Sequence, residues 1–135
     1  MEPLQPGIKH QMDVIVDTAT AINFLGPDGP RVLATPAMIM NLEMTSRNLA
    51  KQHLEPGYDT VGTHVDVRHL AATPVGMNVT YHSELVEVND RRLRFRVEAY
   101  DEKEKVGEGM HERAVINVAK FAERVRAKIV NPPLR

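Results

Sequence analysis

The 135-residue sequence contains no cysteine and no tryptophan, and aromatic residues make up only 4% of it. Without cysteine the chain has no disulfide, no thiol nucleophile and no thiolate metal site, which suits a reducing cytoplasm. No segment approaches the ~20 consecutive apolar residues of a membrane span, and the first residues show no apolar signal region. We therefore expect a soluble cytoplasmic protein with no membrane partner.

The charge balance shows no excess of either sign. The chain has 17 basic and 18 acidic residues, for a formal net charge of −1. This balance provides no electrostatic basis for binding nucleic acid or an anionic membrane surface. The length suits one domain with a core of its own, so we predict a single domain over residues 1–135.

Residues 32–54 carry the strongest helical signal. Thr35 followed by Pro36 predicts a helix start, with the threonine hydroxyl as N-cap and proline at the first helical position. The apolar side chains that follow cover about two thirds of the helix circumference, so we expect a long helix wrapped by the rest of the chain. Glu43 falls inside this apolar arc, where a carboxylate needs partners or a shifted pKa.

Alternating apolar and polar residues predict strands in the remaining chain. The predicted strands are residues 8–16, 60–70, 77–88, 92–99 and 106–118. Residues 1–7 read as an irregular lead-in, 119–130 as a short basic helix and 131–135 as a frayed end. Residues 17–31, which include L-G-P-D-G-P, read as a flexible loop immediately before the helix, in a position to act as a lid over whatever Thr35 faces. Strands segregated from one long helix predict an α+β domain, in which an antiparallel sheet of about five strands wraps around the helix.

Thr35, Glu43 and His69 form the main candidate constellation. On this reading a hydroxyl, a carboxylate and an imidazole converge at the N-terminal half of the helix, as general acid–base or nucleophilic chemistry requires. Each residue also has a purely structural interpretation. Thr35 is then only the helix cap, Glu43 an i, i+4 partner of Arg47, and His69 a satisfied core histidine.

Two other patterns favour no cofactor. The six histidines show no helical pair with metal-ligand spacing, so we expect no metal site. The run G-E-G-M-H-E-R lies within a predicted strand and is no dinucleotide fingerprint; its glycines, Gly107 and Gly109, predict a bulge or a close backbone approach. Alternating arginines over residues 92–96 read as a solvated strand face, or alternatively as contacts for ligand phosphates.

Three runs carry a resemblance to a known family. They are V-L-A-T-P-A-M-I-M-N-L-E, L-E-P-G-Y-D-T-V-G-T-H-V-D-V-R-H-L-A-A-T-P-V-G-M-N-V and G-E-G-M-H-E-R-A-V-I. Over about residues 8–128 the chain resembles the fluoroacetyl-CoA thioesterase-like branch of the hotdog-fold acyl-CoA thioesterases. The resemblance implies a hotdog fold and hydrolysis of an acyl-CoA thioester to the free acid and CoA, with CoA as part of the substrate and no separate cofactor.

The resemblance also implies site roles. The family's threonine, glutamate and histidine fall on Thr35, Glu43 and His69. His69 would orient or deprotonate the attacking group, Glu43 would activate water or attack directly, and Thr35 would hydrogen-bond the carboxylate or the thioester oxygen. Gly62 falls where the family's backbone approaches the thioester, and Arg113 is a candidate for ordering the site or contacting CoA.

Two departures from the fluoroacetyl-specific members bear on the substrate. Pro36 stands where those members have glycine, which removes one N–H donor from the helix start. Gly26 and Gly29 stand where their gating phenylalanines would lie. We therefore expect a short or medium acyl group other than fluoroacetyl.

The resemblance further implies an oligomeric assembly, and it leaves two alternative functions open. Hotdog proteins form dimers or dimers of dimers with the CoA site at the interface, and the strand over residues 60–70 is the natural edge to pair. The main alternative is a catalytically silent hotdog protein that binds acyl-CoA or a protein partner. A hotdog hydratase or dehydratase is less favoured, because the sequence lacks the motif of those enzymes.

Overall fold

The structure, a computed structural model, describes residues 3–130. Three strands precede a long helix, four longer strands follow it, and a second helix ends the described residues. The elements are β1 (Lys9–Ile15), a 3-10 turn (Thr18–Thr20), β2 (Ala21–Ile22), β3 (Val32–Leu33), α1 (Thr35–Lys51), β4 (Tyr58–His69), β5 (Asn78–Asn89), β6 (Arg92–Tyr100), β7 (Lys105–Asn117) and α2 (Val118–Val130). The predictions for residues 1–2 and 131–135 lie outside the described residues.

Five long strands form one antiparallel sheet in the order β1-β5-β6-β7-β4. One face of this sheet packs against α1, because alternate residues of β5 and β6 are apolar and fully buried there, among them Val79, Tyr81, Leu93 and Phe95. The outer face carries the alternating arginines of β6, which are exposed as predicted for a solvated strand face. The predicted α+β fold, a sheet around one long helix, is confirmed.

The start of α1 differs from the prediction. The helix begins at Thr35, its N-cap is Ala34, and no side chain among residues 3–130 caps it. The N-cap role predicted for Thr35 is therefore wrong, although Pro36 does lie in the first turn, where its missing N–H leaves no helical bond unmade. The hydroxyl of Thr35 remains available for another partner.

The buried face of α1 also differs from the predicted apolar arc, which includes Met40 and leaves out Thr45. Thr45 and Ser46 are fully buried, whereas Met40 is 62% exposed. Burial of these polar side chains is possible because they have partners: Ser46 bonds Ser83 of β5 at 2.8 Å, and Thr45 bonds the Asn41 carbonyl at 2.7 Å. One side of α1 is consequently left exposed.

A bulge in β4 changes which side chains share a face. The pairing of β4 with β7 shifts between Gly62 and His64, so that Thr63 is an extra residue. Strict alternation along residues 60–70 predicts that Gly62 and His69 lie on opposite faces of the strand. With the extra residue, both lie on the face that meets α1, and that part of the alternation prediction is wrong.

The connecting segments complete the fold. Residues 17–31 are irregular apart from the 3-10 turn and the short strand β2, which pairs with β3 just before α1. The predicted close approaches in β7 are confirmed: a Cβ on Gly107 would lie 2.7 Å from Met38 Sδ of α1, and one on Gly109 would collide with the β4 backbone at Asp66. The predicted terminal helix is α2. Neither helix in residues 3–130 has the length and apolar character needed to cross a membrane.

Candidate active site

Thr35 and His69 are joined by a short hydrogen bond at the start of α1. Thr35 Oγ1 lies 2.7 Å from His69 Nδ1, between the first turn of α1 and the last residue of β4. His69 Nε2 is buried and meets no hydrogen-bond partner in the described residues. Burial lowers the pKa of His69 from its usual 6.5, an effect that the Ala71 backbone partly opposes. The ring is thus a neutral base, bonded to a hydroxyl, and is not the satisfied core histidine of the structural interpretation.

An open groove of about 520 Å³ adjoins this pair. Its walls are mainly apolar and come from the β2–β3 region, the start of α1 and the segment after β4; they include Ile22, Phe24, Val32, Leu33, Leu70 and Ala71. The loop between β2 and β3 borders this groove through Phe24, as expected of a segment close to Thr35. Sequence analysis missed Phe24, although an aromatic residue next to a Gly-rich loop was a usable signal.

Glu43 lies in a second cluster further along α1. Its Oε1 is 3.9 Å from Arg113 Nη1 and 3.8 Å from His111 Nε2, both on β7. A Cβ on Gly62 would lie 2.5 Å from the same oxygen, so a larger residue at position 62 would displace the carboxylate from this place. The structural alternative for Glu43 is wrong, because Arg47 instead makes two hydrogen bonds, of 3.1 and 2.6 Å, to Asp59 of β4.

Arg113 is buried, and its donors are bonded within the protein. Its Nε donates to Thr60 Oγ1 at 2.7 Å and its Nη2 to the Thr60 carbonyl at 2.9 Å, while Nη1 lies 3.1 Å from His111 Nε2. Burial lowers the pKa of Arg113, and the negative charges of Glu43 and, to a smaller extent, Asp59 oppose this effect. These contacts favour a role in ordering the site over direct contact with CoA.

Arg113 and Gly62 were predicted as site residues from the sequence, whereas Thr60 and His111 were not. The signal for His111 was its position two residues before Arg113 on the same strand, which places both side chains on one face.

The predicted constellation is therefore divided within one chain. Thr35 and His69 converge, but in residues 3–130 no hydrogen bond or ion pair joins Glu43 to either of them. Eight residues separate Thr35 from Glu43, which is about 12 Å along a helix axis. One chain holds two half-sites: a hydroxyl–imidazole pair, and a carboxylate beside Gly62.

Metal-ligating side chains do not gather in the part of the chain that the structure describes. Among residues 3–130, no three His, Asp or Glu side chains are grouped so as to hold a metal ion.

Residues 15–119 match the sequence family described as fluoroacetyl-CoA-specific thioesterase. The chain belongs to the fluoroacetyl-CoA-specific thioesterase family. This membership confirms the predicted family.

Individual relatives and solved structures support this family assignment. The chain is 37% identical over 131 residues to the fluoroacetyl-CoA thioesterase of Streptantibioticus cattleyicolor, covering 93% of this chain and 94% of that protein. A solved structure of the fluoroacetyl-CoA thioesterase FlK superposes with a TM-score of 0.86 at 36% identity, covering 97% of this chain and all of that one. A thioesterase superfamily member from Thermus thermophilus matches with a TM-score of 0.83 at 30% identity, covering 94% of each chain. These thioesterases confirm the hotdog fold and the predicted enzyme class, an acyl-CoA thioesterase.

Proposed function

We propose that the protein hydrolyses the CoA thioester of a short or medium apolar acyl group. The observation that carries this proposal is the Thr35–His69 hydrogen bond at one end of the apolar groove. An acyl chain in the groove would bring its thioester carbonyl to this pair, where a hydroxyl and a neutral imidazole can hydrogen-bond and move protons. Glu43 then activates water or attacks the carbonyl carbon, and the reaction uses no cofactor beyond the CoA of the substrate.

A dimer would unite the two half-sites. Strand β4 is an edge of the sheet, and its outer side is unpaired within residues 3–130. Two copies that pair antiparallel through β4, centred near Val65 and Asp66, would bring Gly62 of one copy opposite His69 of the other. Glu43 lies beside Gly62, so the complete site would combine Thr35 and His69 with Glu43 of the partner subunit. We therefore propose a homodimer as the active form.

The shape of the groove supports an acyl group other than fluoroacetyl. A side chain at Gly29 would collide with the Leu25 backbone carbonyl, so the loop as folded cannot carry an aromatic gate at that position. Phe24 instead borders the groove while remaining 76% exposed, which leaves the groove open at one side. An open, apolar groove accommodates a longer acyl chain than a gated one.

Pro36 shapes the expected oxyanion contacts. It has no N–H, and the N–H groups of Ala37 and Met38 both donate to the Ala34 carbonyl at 3.1 Å. In the first turn this leaves the Thr35 backbone N–H and hydroxyl, together with the backbone at Gly62 of the partner subunit, as groups to stabilise the oxyanion. We also propose a cytoplasmic location, which suits a chain without cysteine.

Thiol release across a panel of acyl-CoA chain lengths tests the proposed function. We expect turnover of short or medium apolar acyl-CoAs, and a loss of at least about 100-fold in Glu43→Ala and in His69→Ala, as is typical when a general acid–base group is removed. Glu87→Ala, at an exposed carboxylate on β5, is the matched control and should retain the wild-type rate. Wild-type protein that binds acyl-CoA without releasing thiol would refute hydrolysis and identify the silent binder.

A further inference from the structure

His111 is a buried histidine that the proposed reaction does not use. It lies on β7 with 1% of its surface exposed, and its ring lies 6.3 Å from the ring of Phe95 on β6. Burying an imidazole is unfavourable unless its nitrogens are hydrogen-bonded. Both nitrogens have partners here, which distinguishes His111 from His69.

The partners of His111 determine its protonation state. Nε2 lies 3.1 Å from Arg113 Nη1, and a guanidinium can only donate, so Nε2 must accept. The ring proton then resides on Nδ1, which donates to the His64 carbonyl at 2.8 Å in the β4 bulge. Only the neutral ring with its proton on Nδ1 satisfies both contacts.

Arg113 contacts both His111 and Glu43 and so connects the two residues. Its other two hydrogen bonds go to Thr60, so the guanidinium is held on three sides, and Nη1 lies 3.1 Å from His111 Nε2 and 3.9 Å from Glu43 Oε1. The neutral Nε2 of His111, 3.8 Å from the Glu43 carboxylate, has no proton to offer it. Thr60 and His111 together thus set the position of Arg113, and the Glu43 carboxylate has Arg113 as its cation.

We propose that His111 is a positioning residue for Glu43: the neutral imidazole fixes the Arg113 guanidinium, which in turn holds the Glu43 carboxylate beside Gly62. The proposal rests on the role proposed above for Glu43. A protonated His111 would turn Nε2 into a second donor, break its bond with Arg113 and compete with Arg113 for Glu43.

The surroundings of His111 oppose that protonation. Burial lowers its pKa from 6.5, and Arg113 lowers it further, against the raising effects of the His64 carbonyl, Glu43 and Glu112. The charged or titratable groups around the ring are Glu43 on α1, His64 on β4, and Arg113 and Glu112 on β7.

Two substitutions separate positioning from packing. His111→Phe keeps the ring volume but removes the acceptor for Arg113, whereas a glutamine oxygen in His111→Gln can still accept that bond. We expect kcat on the acyl-CoA substrate to fall about tenfold or more in His111→Phe with little change in KM, as when a supporting partner of a site residue is removed. His111→Gln should retain most of the wild-type kcat. His82→Phe, at a histidine on the opposite face of the sheet, is the control that should leave kcat unchanged.

A double-mutant cycle and a spectroscopic measurement complete the test. If His111 acts through Glu43, adding His111→Phe to Glu43→Gln should cause no further loss of kcat, whereas a general packing defect would add its full effect. By NMR, the Glu43 carboxyl ¹³C resonance should move in His111→Phe and stay near its wild-type position in His111→Gln. Equal resonances in the wild type and both variants would overturn the proposal, even if the wild type releases no thiol. An inactive wild type would refute only the proposed function.

Discussion

At the residue scale, the availability of Thr35 decides what the start of α1 can do. Because Ala34 is the N-cap, the Thr35 hydroxyl is not used to cap the helix and instead bonds His69 at 2.7 Å. The ion pair of Arg47 with Asp59 likewise leaves Glu43 to the cluster around Gly62. Thr35, Glu43 and His69 therefore do not play the purely structural roles that were the alternative interpretations of them.

The protonation of His69 predicts how activity depends on pH. Its neutral form is the one that can accept a proton, and burial lowers its pKa, so protonation requires a lower pH than for an exposed histidine. We expect kcat/KM to fall at acid pH in a limb centred below pH 6.5, and to rise to a plateau as the pH increases above that limb. His111, whose pKa burial also lowers, titrates in the same direction.

The measurement is a pH–rate profile of kcat/KM, which reports groups of the free enzyme. Buffers of constant ionic strength keep screening of the exposed charges unchanged across the series. An acid limb centred above pH 6.5 would show that His69 is not held neutral by burial, and would contradict the assignment of its role.

Much of this site was predictable from residue patterns, and the remainder depended on packing. The Thr-Pro pair marked the helix start to within one residue, and alternation placed His69 on the inner face of its strand. The capping pattern could not show that Ala34 takes the N-cap position, because the choice depends on the backbone of the preceding strand β3. The partners of Glu43 were not predictable either, because Arg113 and His111 lie about 70 residues further along the chain and meet Glu43 only in the folded sheet.

At the element scale, the packing of α1 against the sheet depends on small residues at particular positions. Alternation predicted the five long strands to within a few residues at each end. It could not predict the extra residue at Thr63, because a bulge shifts the pairing of two strands and no particular residue type in the sequence marks it. That bulge turns both Gly62 and His69 toward α1. The close approach at Gly107 lets fully buried Met38 of α1 lie directly on β7.

Gly107→Ala tests this close packing. The added methyl group would lie 2.7 Å from Met38 Sδ, so α1 or the methionine must shift. We expect a loss of about 1–3 kcal/mol in the free energy of unfolding, as is typical of overpacking, measured by urea denaturation. In a Met38→Ala background the same change should be much less destabilising, because the colliding side chain is gone. A loss equal in both backgrounds would show that contact with Met38 is not the cause.

At the scale of the whole molecule, the central claim is that a complete site needs two copies of the chain. One chain separates the Thr35–His69 pair from Glu43 by about 12 Å along α1. A thioester carbonyl, in contrast, needs all three groups within hydrogen-bond reach. The unpaired edge of β4 provides the surface through which a second copy would supply the missing half. Sequence periodicity alone could not reveal this division, because it places residues on faces without distances between them.

Subunit mixing tests whether two chains share one active site. Glu43→Ala and His69→Ala proteins, each inactive alone, are unfolded together, refolded as a mixture and assayed for thiol release. In a mixed dimer, one of the two composite sites combines the intact His69 of one subunit with the intact Glu43 of the other. Random mixing of a two-fold dimer should therefore restore about a quarter of the wild-type rate. If each site is formed within one chain, no mixed dimer contains an intact site, and a mixture as inactive as its parents would contradict the account.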